Sequence, residues 1–112
     1  WDKGQRDFSL ADGELAWTSF DTVTRQFELN RAALIHQNTF HPTEKPYKLY
    51  KWILDKYANP NDKILDTHLG SGSSRIAAYE YDFDFTGFEI DKEYFDASEK
   101  RFNDFKKQLK LF

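Results

Sequence analysis

The sequence of 112 residues contains no cysteine and no methionine, and it has only three prolines and five glycines. Without cysteine the chain forms no disulfide, and the three histidines lack zinc-ligand spacing, so we expect no metal site at His36, His41 or His68. No apolar run approaches the roughly 20 residues of a membrane-spanning helix, and the N-terminus lacks a signal-peptide pattern. We therefore expect a soluble cytoplasmic protein with no membrane partner. Aromatic residues make up 18% of the chain, which is enough to fill one small core.

Charged residues are unevenly distributed, although the net charge is only −3. Residues 80–96 hold seven acidic residues and one lysine, whereas residues 98–112 hold five basic and two acidic residues. A basic segment of this kind can contact phosphates, but a solvated helix face is the commoner explanation. The charge balance by itself therefore does not indicate a nucleic-acid-binding surface.

Strand and helix patterns alternate in the second half of the sequence. Apolar residues at helical spacing predict a helix from Pro46 to Tyr57, and the next segments predict a strand over 63–66, a helix over 73–81 and a strand over 83–88. Asp91 is placed to cap a last helix. Nearer the N-terminus, a loose alternation predicts a strand over 14–20, and residues 27–35 fit either a strand or a short helix. This order predicts an α/β fold with a parallel strand pair.

A glycine turn joins the predicted strand and helix over 64–74. Gly70 and Gly72 lack a Cβ, so the backbone can adopt positive φ, and amides at the start of the following helix can face a ligand. Glu89 follows about twenty residues later at the end of the second strand, where a carboxylate can accept hydrogen bonds from ribose hydroxyls. The pattern is typical of a nucleotide-type cofactor site, although a glycine turn alone is a weak signal.

A second motif, His41-Pro42-Thr43-Glu44-Lys45-Pro46, precedes the glycine turn by about one helix length. In this order the two motifs resemble the amino-methylating (N6-adenine or N4-cytosine) DNA methyltransferases of the permuted subclass. In that family His-Pro-Thr-Gln-Lys-Pro precedes Leu-Asp-Pro-Phe-x-Gly-Ser-Gly-Thr, the motif that binds S-adenosyl-L-methionine (SAM). Five of the six upstream positions match, and the glycine motif matches at Leu65, Asp66, Gly70, Ser71 and Gly72. The chain departs from the family's usual Pro, Phe and Thr at Thr67, His68 and Ser73.

The resemblance implies a set of SAM-binding residues, with no metal and no catalytic residue within this chain. Glu89 would accept the ribose hydroxyls, Ile90 would pack on the adenine ring, and Lys45 would meet the methionine carboxylate. For Asp66 two roles stay open, namely pairing with the ammonium group of the cofactor and capping the turn. The full set of expected cofactor-binding residues is Thr43, Lys45, Asp66, His68, Gly70, Ser71, Gly72, Glu89 and Ile90.

The family's catalytic Asp/Asn/Ser-Pro-Pro-Tyr/Phe loop has no counterpart, because the three prolines are never adjacent. The resemblance therefore implies a partial Rossmann-like class I methyltransferase fold, a mixed sheet with helices on both faces, formed as one domain over 1–112. Residues 1–40 would contain late core strands and a loop, and residues 41–112 the SAM-binding βαβ region. We expect a piece of a longer enzyme, with DNA as the partner of the complete enzyme. The strand missing from the sheet would come from a second copy or from an N-terminal segment, or else the strands of this chain would pair differently from those of the family.

Two other functions are compatible with the sequence. A catalytically inactive remnant or subunit could use the same fold as an interaction module, and SAM binding would distinguish it from the methyltransferase. An α/β oxidoreductase is disfavoured, because Arg75 stands where the third glycine of Gly-x-Gly-x-x-Gly should fall.

Overall fold

The computed structural model describes residues 16–28 and 45–110. The chain divides into two compact units, residues 1–38 and residues 39–112. In the first unit, residues 16–20 form no strand, so the strand predicted over 14–20 is wrong over its described part. Trp17 is 88% exposed. Alternation alone does not produce a strand without a partner strand and a core to cover the apolar side chains. Glu28 makes an isolated bridge, and most of the ambiguous segment 27–35 lies outside the described residues.

The second unit has the element order α1 (Tyr47–Tyr57), β1 (Lys63–Asp66), α2 (Ser73–Glu80), β2 (Asp84–Gly87) and α3 (Lys92–Lys110). These elements confirm the predicted order, and β1 has the bounds that the sequence predicts. β1 and β2 pair in parallel, with Lys63 opposite Asp84 and Asp66 opposite Gly87. The two strand ends therefore lie side by side, and α2 forms the connection between them. An α/β fold of partial Rossmann-like type is thus confirmed.

Local capping explains where the helices begin. Pro46 occupies the N-cap position of α1 with an extended backbone, which suits a residue whose ring fixes φ and which lacks an N–H. At the start of α3, the Asp91 carboxylate accepts a hydrogen bond from the Tyr94 N–H at 3.1 Å, as predicted for an N-cap. α2 instead begins at Gly72 without a side-chain cap.

The core of the second unit is centred on α2, which packs against α1, β2 and α3. Ile76, Ala77 and Ala78 of α2 are buried, and Phe102 of α3 is buried as well, with 7% of its surface exposed. The Tyr79 ring meets Phe102 edge to face at 5.2 Å between centroids.

Only one face of the described strand pair is covered. In both strands the second and fourth residues are half-buried, while the first and third are exposed. Leu65 is 63% exposed as a result. Within residues 16–28 and 45–110 the sheet is this parallel pair, with no antiparallel strand. The described residues thus contribute one parallel strand pair to the expected sheet, and the antiparallel strand that a mixed sheet needs is not among them.

Candidate functional site

The glycine turn between β1 and α2 is built from two residues in the left-handed region. Gly70 has φ of 56° and Gly72 has φ of 83°, which confirms the positive φ predicted for both. The Gly70 N–H donates to Oε1 of Glu89 at 2.8 Å, and the Gly72 N–H donates to the carbonyl of Leu69 at 3.0 Å. Both amides donate within the protein and so shape the turn, and the part of these glycines in cofactor binding stays a prediction.

Asp66, the last residue of β1, organises the same turn from its other side. One carboxylate oxygen accepts the His68 N–H at 3.0 Å, and the other accepts the hydroxyl of Ser74 in the first turn of α2. The structure therefore contains the capping role that the sequence left open for Asp66. Pairing with a ligand's ammonium group stays a prediction.

Glu89 lies two residues beyond β2 and connects the two strand ends. Besides the bond from Gly70, its Oε2 accepts the Asp91 N–H at 3.0 Å. The backbone on either side is also tied, because the Phe88 N–H donates to the Asp66 carbonyl at 2.9 Å and the Leu69 N–H donates to the Phe88 carbonyl at 2.8 Å. These bonds hold the Glu89 carboxylate against the turn in a defined position.

A cavity of about 270 Å³ opens beside this turn. It brings together three separate parts of the sequence, namely the residues just before and at the start of α1, the glycine turn with the start of α2, and the segment that follows β2. Its lining residues are Lys45, Tyr50, His68, Leu69, Gly70, Ser71, Ser73 and Glu89. The lining residues thus include a lysine, a glutamate and three residues with hydroxyl groups, a set that can bind a ligand carrying both a carboxylate and a diol.

Five of the nine predicted site residues line this cavity: Lys45, His68, Gly70, Ser71 and Glu89. Asp66 and Gly72 are not among the lining residues and belong to the turn beside the cavity, where Asp66 accepts the His68 N–H and Gly72 has positive φ. Ile90 is fully exposed next to Glu89 and is not among the lining residues. Thr43 lies outside the described residues. The ligand-binding roles of all nine stay predictions, although the geometry unites most of them.

Sequence reasoning missed three lining residues, Tyr50, Leu69 and Ser73. Tyr50 lies in the first turn of α1, directly after the segment that contains Lys45. Its closeness to the motif over 41–46 is the feature of the sequence that could have indicated a place in the site. Leu69 directly precedes Gly70, and Ser73 is the first residue of α2, so both flank the glycines that mark the turn in the sequence. His68 Nδ1 lies 2.9 Å from the hydroxyl of Thr67, and this contact orients the imidazole at the rim.

Residues 16–28 and 45–110 contain neither a metal-ligand cluster nor a candidate membrane-spanning helix. There, no three His, Cys, Asp or Glu side chains are grouped closely enough to hold a metal ion. No helix in these ranges is both long and apolar enough to cross a membrane.

Comparison with known proteins adds independent evidence. The curated relatives include type II methyltransferase M2.LlaDCHI of Lactococcus lactis subsp. cremoris, which is 36% identical over 63 residues (56% of this chain, 23% of the relative). Type II methyltransferase M.BglII of Bacillus subtilis is 37% identical over 62 residues (55% of this chain, 17% of the relative). The chain spans about a quarter or less of the length of these two relatives.

Solved structures and a family profile extend the similarity. The crystal structure titled M1.HpyAVI-SAM complex matches with a TM-score of 0.65 and 33% identity, covering 79% of this chain and 43% of that one. The profile of a DNA methylase family matches residues 14–100, which is more than half of the chain. The glycine turn, the strand-end carboxylate and these matches together establish that the chain belongs to the amino-methylating DNA methylases.

Proposed function

We propose that this chain forms the SAM-binding portion of a site-specific DNA methyltransferase that methylates the exocyclic amino group of adenine or cytosine. The observation that carries the proposal is the shared cavity lined by Lys45, Ser71 and Glu89, residues separated by up to 44 positions in the sequence. Each end of SAM then has a group of matching chemistry, which supports this ligand over one without an amino-acid part.

The ribose end would lie at Glu89. Its carboxylate is held on the cavity wall by the Gly70 and Asp91 amides before any ligand arrives, so little reorganisation is needed to accept hydrogen bonds from a ribose diol. Adenine would extend past Glu89 towards Ile90, whose apolar side chain is fully exposed. The cavity of about 270 Å³ is slightly smaller than most small-molecule sites, which is consistent with part of the ligand lying outside it.

The methionine end would lie at Lys45, Ser71 and Ser73. The ammonium of Lys45 suits a carboxylate as a point charge, and the serine hydroxyls add short-range donors. SAM would supply an activated methyl group on its sulfonium when bound. An exocyclic amino nitrogen must then be held in line with that methyl group, which in the proposed enzyme requires the target base to leave the duplex.

This chain alone should bind SAM without transferring the methyl group. In the family that this chain resembles, a loop with two adjacent prolines positions the amino group of the target base. No two prolines are adjacent in the 112 residues, so this chain lacks that loop. The DNA target and the choice between adenine and cytosine would be determined by parts of the enzyme outside this chain.

Isothermal titration calorimetry with SAM tests the cofactor site directly. We expect micromolar binding to the chain. Glu89→Gln should weaken that binding by roughly 10- to 150-fold, because a hydrogen bond to a charged group contributes about 1.5–3 kcal/mol. Glutamine keeps one oxygen for the Gly70 amide, so the turn should remain folded.

Glu93→Gln is the matched control, since it removes the same charge from an exposed position four residues later in the first turn of α3. Its affinity for SAM should equal that of the unmodified chain, and thermal denaturation should confirm that all three proteins are folded. Absence of SAM binding by the folded chain would refute the proposal and favour an interaction module instead.

A further inference from the structure

Helix α3 lies directly behind the glycine turn. Ser98 of α3 is 1% exposed, and a Cβ placed on Gly72 would lie 3.3 Å from the Ser98 Cβ. One helical turn further along, Arg101 extends its guanidinium to the same turn. No sequence motif marked Arg101, which is 30 residues away from Ser71.

Arg101 contacts three oxygens of the turn through one nitrogen. Its Nη1 donates to Ser73 Oγ at 2.9 Å, to the Ser71 carbonyl at 3.1 Å and to Ser71 Oγ at 3.3 Å. The nitrogen carries two hydrogens, so one of the three contacts is shared. Ser71 and Ser73 are 5% and 2% exposed, and both line the cavity, so Arg101 reaches the site through them.

The donor count of these groups determines what the serines can offer a ligand. Arginine only donates, so each serine oxygen that contacts it acts as an acceptor. The two hydroxyls lie 3.2 Å apart, and one of them donates to the other. One hydroxyl hydrogen then has no acceptor among the described residues, and both serines line the cavity. The cluster therefore offers a hydrogen-bond donor, which suits a ligand carboxylate.

We propose that Arg101 is a positioning residue for the cofactor, which holds Ser71 and Ser73 so that a hydroxyl donates to the methionine carboxylate of SAM. This inference rests on the SAM site proposed above. It assigns Arg101 no contact with SAM, and the effect passes through the two serines. Loss of Arg101 should therefore weaken recognition of the amino-acid part of the ligand and spare recognition of the nucleoside part.

Calorimetry with two ligands separates this role from a general contribution to folding. Arg101→Gln should weaken SAM binding on the order of tenfold, while binding of 5′-methylthioadenosine, which lacks the amino-acid part, should change by less than about twofold. The SAM affinity of Arg101→Lys should lie between those of the unmodified chain and Arg101→Gln, because lysine keeps the positive charge and lacks the planar guanidinium. Lys100→Gln is the control, since it removes the same charge from an exposed position next to Arg101.

A double-mutant cycle and hydrogen exchange test whether Arg101 affects SAM binding through Ser71 and Ser73. In a Ser73→Ala background, Arg101→Gln should weaken SAM binding less than it does alone, because part of the interaction is already absent. Without SAM, amide hydrogen exchange at residues 71–73 should be faster in Arg101→Gln and unchanged in Lys100→Gln. If Arg101→Gln fails to fold, Arg101→Lys and Ser73→Ala carry the same comparison.

Several outcomes would overturn the inference, and they differ from failure of the proposed function. Equal weakening of both ligands, or SAM affinity within about twofold of the unmodified chain, would leave Arg101 with no positioning role while the SAM site stands. Unchanged exchange at residues 71–73 would show that Arg101 does not hold the turn. If the unmodified chain binds neither ligand, the SAM site itself is wrong, and the inference is wrong with it.

Discussion

Replacing Gly72 by alanine should destabilise the second unit by about 2–3 kcal/mol, because backbone strain and a steric contact would both arise at this position. The φ of 83° places an alanine in the left-handed region, which costs roughly 1–2 kcal/mol. The new Cβ would also lie 3.3 Å from the Ser98 Cβ, and Ser98 is too buried to move freely. Overpacking of this kind costs about 1–3 kcal/mol. The stiffer unfolded chain offsets only about 0.4–1 kcal/mol.

Urea denaturation followed by circular dichroism would measure this loss as a difference in the free energy of unfolding. Gly72→Asn separates the two penalties, since asparagine tolerates positive φ better but still carries a Cβ, so its loss should be smaller than that of alanine. Combining Gly72→Ala with Ser98→Gly should recover the contact penalty in a double-mutant cycle, after allowance for glycine in a helix. An alanine variant within about 0.5 kcal/mol of the unmodified chain would refute the reasoning.

Two further predictions concern the helices. The Glu80 carboxylate raises the pKa of Lys51 above 10.5 by a hydrogen bond that outweighs desolvation, so the stability from this ion pair should be complete below pH 10.5 and be lost as pH rises through the raised value. Lys51→Met should remove that dependence in alkaline unfolding curves, and an identical dependence in the variant would contradict the assignment. Phe102→Ala should destabilise the unit by about 3–5 kcal/mol in thermal or urea unfolding, because Phe102 is 7% exposed at the contact between α2 and α3. The half-exposed Leu109→Ala should cost within about 0.5 kcal/mol, and equal losses would show that Phe102 is not a core residue.

Local features of the second unit could be predicted from the sequence because each has a short-range cause. The Asp91 cap, the bounds of β1 and the positive φ at Gly70 and Gly72 all depend on a residue and its close neighbours. The strand predicted over 14–20 fails over residues 16–20 for the opposite reason. A strand needs a partner and a covered face, and neither can be seen in an alternating pattern.

In the candidate site, too, some features follow from the sequence and others only from the tertiary structure. Its residue types and motif order, from Lys45 to Glu89, follow from the sequence and its resemblance to the DNA methylases. Their meeting around one cavity depends on the parallel pairing of β1 and β2, which aligns the two strand ends. Arg101 belongs wholly to the tertiary structure, because only the packing of α3 brings a guanidinium within hydrogen-bonding distance of serines 30 residues earlier. Caps, turns and strand bounds depend on neighbouring residues and can therefore be predicted from the sequence. Contacts between distant segments form only when the helices pack, so they require the tertiary structure.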